Sequence, residues 1–156
     1  MNSKFLYVGL SIFLWQCQPV ALPQTASGVI NQEFKIALNQ TVTLTDKKLT
    51  GKINLGKIKL VKLEDSRCPA HTTCIWQGAV VTSLQIETPA PDTQTVRLFI
   101  GDMMPRDSRN RRNIAADTLL ITLKDKVQYQ LILKAVLPYP GTSKDAPQAV
   151  LLVTRP

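Results

Sequence analysis

The chain has 156 residues, 44% of them apolar, a formal net charge of +8 and one histidine. That is one domain of ordinary size with enough apolar material for a core, which excludes wholesale disorder. A single histidine leaves a histidine-rich metal site or a Ser-His-Asp arrangement almost without parts, and the positive balance suits anionic surfaces without specifying one.

Lys4 precedes a continuous apolar run over residues 5–15. The run is too short to span a bilayer comfortably and fits the apolar core of an export signal. Small residues at Ala21 and Ala26 offer cleavage points, so a signal segment over 1–26 and a single domain over 27–156 are expected. Cys17 stands where a lipoprotein cysteine would stand, but Trp15 and Gln16 ahead of it are not the small residues that such processing demands. Lipidation of Cys17 is therefore the lesser expectation, and membrane association is expected only through it.

Residues 27–32 read as a flexible mature N-terminus. Phe34, Ile36 and Leu38 alternate with Lys35 and Ala37, a half-buried strand pattern. Val42 and Leu44 alternate with threonines in a second strand. Residues 49–55 are ambiguous, with Gly51 and Gly56 marking bends. Ile58, Leu60 and Leu63 alternate imperfectly with Lys57, Lys59 and Lys62, a third strand whose lysine-rich outer face would discourage edge-to-edge pairing.

The stretch that organises the chain follows at residues 64–78, E-D-S-R-C-P-A-H-T-T-C-I-W-Q-G. Cys68 and Cys74 are the only cysteines after the export signal, and a cysteine pair in an exported chain is most simply a disulfide. Closing so short a loop restricts the unfolded chain by about 2–3 kcal/mol in the loop-entropy picture. Pro69 stiffens one end. Trp76 lies two residues beyond Cys74, which in a strand puts both side chains on one face and the indole beside the disulfide.

Beyond this stretch, residues 75–86 read as one long strand and 95–100 as the next, with Val96, Leu98 and Ile100 on one face. Residues 101–117 form a long polar connection carrying Met103, Met104, Arg106, Arg109, Arg111 and Arg112. Residues 119–123 and 129–137 make a hairpin across Lys124-Asp125-Lys126, with Leu131, Leu133 and Ala135 on one face. Residues 138–147 are a proline-rich loop, and 149–154 close the fold. About eight short strands without a helical period predict an all-β fold, an antiparallel β-sandwich or open barrel with one internal disulfide.

Asp65-Ser66-Arg67-Cys68-Pro69, then Cys74, Trp76 and Gly78, resembles the D-S-R-C-P…C-x-W-x-G signature of a family of uncharacterised bacterial exported proteins, many of them lipoproteins. The run from Tyr129 to Leu133, followed by Leu137-Pro138-Tyr139-Pro140, resembles that family's Y-x-L-x-L…P-Y-P element. The resemblance covers most of the mature chain. It implies a small β-sandwich with an internal disulfide, and no known activity.

Catalytic parts are scarce. His71 sits inside the disulfide loop and reads as solvent-facing. Glu64 and Asp65 are neighbours that point to opposite faces of a strand, a poor acid–base pair. There is no phosphate-cradling glycine loop and no metalloprotease motif, so neither metal nor cofactor is expected. Asp65 and Arg67 share a face, which suits a bidentate pair that orients the disulfide loop; the functional alternative makes Arg67 an anion hook beside Trp76. Arg106, Arg109, Arg111 and Arg112 are a second candidate contact with anions or an acidic partner. Nucleic acid is not expected, because no aromatics are interleaved among them. The function that follows is a non-enzymatic exported binding or interaction module for a protein or an anionic envelope component. The alternative is a secreted inhibitor of a hydrolase such as a peptidase, presenting the disulfide loop or residues 138–147.

Overall fold

The computed structural model describes residues 25–46, 53–87, 93–102 and 113–156. Within them the chain forms nine strands: β1 (Thr25–Val29), β2 (Glu33–Ala37), β3 (Thr41–Asp46), β4 (Ile53–Asp65), β5 (Ala79–Glu87), β6 (Thr93–Gly101), β7 (Asp117–Thr122), β8 (Gln128–Leu137) and β9 (Gln148–Thr154). They build two open sheets, a five-stranded one in the order β1-β3-β4-β5-β6 and a four-stranded one in the order β2-β9-β8-β7. The all-β sandwich with an internal disulfide follows as expected.

The pairs are antiparallel with one exception, the parallel β1–β3 pair that runs from Thr25 against Thr41 to Val29 against Thr45. Residues 27–32, expected to be flexible, thus belong to a strand and the turn after it. Ile30 is buried, and its N–H reaches the Thr45 carbonyl at 3.0 Å. β1 begins two residues inside the segment assigned to the leader. Cleavage after Ala21 would leave the strand whole, while cleavage after Ala26 would remove its first two residues.

The core lies between the inward faces. Val42, Leu44, Ile58, Leu60, Leu84, Ile86, Val96 and Leu98 from the larger sheet meet Ile36, Ile121, Tyr129, Leu131, Leu133, Val136, Leu151 and Val153 from the smaller. The period-two pattern explains most of this list, and bulges explain where it breaks. The β4–β5 register shifts between Leu60 and Lys62, and the β8–β9 register shifts between Leu133 and Ala135. An extra residue reverses the facing of everything after it. Val136, not Ala135, is therefore the buried residue, and Leu63, out of phase with Ile58 and Leu60, is turned to pack half-buried against the core. Leu38 falls in the β2–β3 turn and is exposed instead of continuing the inward row.

The lysine-rich strand β4 is the central strand of its sheet, so its lysines guard no edge. They make the outer face polar instead, in register with Thr41, Thr43 and Gln85. At this far end the two sheets are joined by polar contacts. The Lys124 N–H donates to the Leu55 carbonyl at 2.9 Å, and the Lys124 ammonium pairs with Glu87 at 2.7 Å, which Lys57 also meets at 3.1 Å. Arg155 reaches Asp46 at 3.3 Å, and the buried Tyr129 donates its hydroxyl to Asp125 at 2.6 Å.

Candidate functional site

The opposite end gathers the β2–β3 turn, the disulfide loop between β4 and β5, both ends of the β6–β7 connection and the 138–147 loop between β8 and β9. The disulfide loop begins as a continuation of the β4–β5 ladder. The Ser66 N–H and hydroxyl both donate to the Ala79 carbonyl, at 2.9 and 2.8 Å, and the Cys68 N–H donates to Gln77 at 2.8 Å. Cys68 and Cys74 are bonded, Cys68 on the buried side and Cys74 exposed. β5 therefore begins at Ala79, four residues later than the apolar pattern suggests. The six-residue separation of the bonded cysteines turns the chain back before it can extend.

This corrects the placement of Trp76. It lies in a loop, not a strand, so the same-face relation to Cys74 does not hold, and the indole is half-buried at the end of the sandwich instead of anchoring the core. Gly78 has φ of 74°, and a Cβ there would overlap the Ser66 carbonyl. The close return of the loop onto residue 66 admits only glycine.

Asp65 and Arg67 form the bidentate pair expected of them. The Arg67 Nε and Nη2 donate to the two Asp65 carboxylate oxygens at 2.8 and 2.6 Å, and the Arg67 backbone N–H adds a third bond at 3.1 Å. Nη2 also donates to the Val136 carbonyl at 3.0 Å, across to the other sheet. The guanidinium lies over the Tyr139 ring, 4.6 Å from its centroid. Only 9% of the Arg67 side chain and 15% of the Asp65 side chain remain exposed. The partner of Arg67 is thus Tyr139, not Trp76, and its fork is committed to protein groups.

The 138–147 loop is tied to the disulfide loop directly. The Ala70 N–H donates to the Pro140 carbonyl at 2.7 Å, and Gly141, at φ of 83°, packs its backbone against Ala70 and Pro69. The Leu137–Pro138 bond is cis. The β6–β7 connection leaves from the same place, where the Asp102 N–H donates to the Gly78 carbonyl at 2.9 Å and Gly101 pairs with Ile114. Arg106, Arg109, Arg111, Arg112, Met103 and Met104 lie outside the described residues, as does Cys17. His71 is exposed, and among the described residues no three His, Cys, Asp or Glu side chains are grouped so as to hold a metal.

Beside the loop pair is a groove of about 680 Å³ lined by Lys35, Leu137, Pro138, Tyr139, Thr142, Asp145, Ala146 and Gln148. Its floor is the outer face of the smaller sheet, where Ala37, Gln148 and Leu137 stand in register across β2, β9 and β8. Sequence reasoning missed Lys35, Asp145, Gln148 and Tyr139 as neighbours. The one signal available was the L-P-Y-P run, which placed Tyr139 in a rigid loop but said nothing of what it would meet. Comparison with protein-family models, with curated proteins and with solved structures finds no match to this chain.

Proposed function

We propose that the protein is exported and serves in the cell envelope as a non-enzymatic binding module, and that its binding end is the fixed pair of loops around Cys68–Cys74 and residues 138–147. The observation that carries this reading is the Arg67 clamp. One guanidinium joins Asp65, the Val136 carbonyl and Tyr139, so the two loops and both sheets are held in one arrangement before any partner arrives. A surface held in its bound shape loses little freedom on association. The disulfide is compatible with an oxidising compartment, and the likeness to exported D-S-R-C-P proteins supports the same location. The partner is a protein or an anionic envelope component, and the membrane enters only if Cys17 carries a lipid.

The test is mass spectrometry of protein recovered from its own cells, in denaturing and native form. A chain lacking the leader, bonded at Cys68–Cys74 and carrying a non-covalent adduct, supports the reading. A full-length cytosolic chain with free thiols overturns it.

Inhibition of a hydrolase is favoured by a separate observation. Ile75, next to the bonded Cys74, is 110% exposed, a branched apolar side chain held out on a braced loop. Slow, saturable inhibition of a peptidase that Ile75→Ala weakens would establish this reading. A broad peptidase panel without inhibition removes it.

A further inference from the structure

We infer that the groove beside Tyr139 is a saccharide-binding site in which the tyrosine ring is the stacking platform; this inference rests on the binding-module reading and extends its partners from anionic components to glycans, charged or neutral. A pyranose ring presents an apolar face of C–H groups and a rim of hydroxyls, each both donor and acceptor. It therefore needs a fixed aromatic surface bordered by mixed hydrogen-bonding groups.

The groove supplies both. Tyr139 lines it and is 37% exposed, while the Arg67 guanidinium, which does not line the groove, covers part of the ring and fixes its orientation. Around it stand an ammonium (Lys35), a carboxylate (Asp145), an amide (Gln148) and a hydroxyl (Thr142). Two of these are already oriented. The Ser143 hydroxyl donates to Asp145 Oδ2 at 2.7 Å, leaving the other carboxylate oxygen to accept, and the Thr142 hydroxyl donates to the Tyr139 carbonyl at 2.7 Å, leaving its lone pairs to accept. The Lys35 ammonium donates only, and Gln148 does both.

Other ligand classes fit less well. An acyl chain would strip water from four polar side chains without replacing their bonds. A simple anion would meet the Asp145 carboxylate. An extended peptide would add to the free edge of β2, whereas the groove opens on the face of the sheet, where residue 148 lies between its register partners 37 and 137. The volume, about 680 Å³, falls in the range of about 300–1,000 Å³ usual for small-ligand sites and suits one or two sugar rings.

The experiment is amide NMR titration of the mature, disulfide-bonded protein with oligomers of glucose, N-acetylglucosamine and a hexuronic acid. The expected result is saturable shifts at Leu137, Tyr139, Ala146 and Gln148 with at least one of them. Tyr139→Phe should keep this binding and Tyr139→Ala abolish it, while Gln148→Ala, which removes none of the Arg67 contacts, should weaken it about tenfold. Saturable shifts confined to another surface overturn the assignment of the groove. No shifts with any oligomer, alongside retention of the protein by an envelope fraction that protease destroys and periodate does not, overturns the saccharide inference and leaves the binding module standing. No shifts and no retention by any envelope fraction overturns both.

Discussion

Replacing Arg67 by Met tests whether this side chain is a structural clamp or a free anion hook. The substitution keeps volume and apolar stem but removes the fork, so Asp65 loses two charged bonds and the Val136 carbonyl loses its donor. Breaking one partner of a buried ion pair costs about 3–5 kcal/mol, because the remaining charge is left without compensation. Asp65 retains the residue-67 backbone N–H at 3.1 Å, which favours the lower end, about 3 kcal/mol. For a domain of this size that lowers the melting temperature by about 10 °C. Urea unfolding followed by the fluorescence of Trp76, the only tryptophan after Trp15, measures the loss. The double variant Arg67→Met, Asp65→Leu should recover much of it, since no orphan charge remains. A loss under about 1 kcal/mol for Arg67→Met, or a double variant worse than the sum of the single ones, would refute the clamp and return Arg67 to the ligand-binding candidates.

Gly78→Ala should be among the most damaging single changes in the chain. The left-handed backbone costs about 1–2 kcal/mol and the Ser66 carbonyl must move away, so soluble yield and urea midpoint should both fall; wild-type stability would show that the loop return is not tight. Cys68→Ser with Cys74→Ser should lower stability by about 2–3 kcal/mol and speed amide exchange over residues 68–77. Unchanged exchange there would mean that the hydrogen bonds alone hold the loop. Acid should weaken the far end. Hydrogen bonding to Lys124, with Lys57 behind it, holds the Glu87 carboxyl below its ordinary range against the opposing effect of burial. Its contribution is therefore present above the unfolded carboxyl's titration and lost as pH falls through the folded one. Glu87→Gln should accordingly lower the urea midpoint at neutral pH and change it little at pH 3. An equal change at both would detach this ion pair from the acid limb.

Much of the fold is legible in the residues themselves. Alternation in Val42/Leu44, Ile58/Leu60, Val96/Leu98 and Leu131/Leu133 specifies strands and their inward faces, because a strand has only two faces and one of them must be dry. Cys68 and Cys74, six residues apart, specify a disulfide, and Asp65 and Arg67 at i and i+2 specify a shared face. Bulges are what the pattern cannot show. Val136 replaces Ala135 in the core because an inserted residue reverses the phase locally, with no mark in composition. The tertiary structure alone decides the rest. Lys57 and Lys59 lie at the centre of a sheet instead of an edge, and β1 is recruited in parallel beside β3, because strand order depends on pairings far apart in sequence. The site is of the same kind. Arg67 meets Tyr139 only after the two sheets pack, and Lys35, Gln148 and Asp145 line one groove only after β2 pairs with β9 and the loops at one end converge. Contacts so distant along the chain arise from the packing of layers and leave no period or spacing in the sequence from which they could be read.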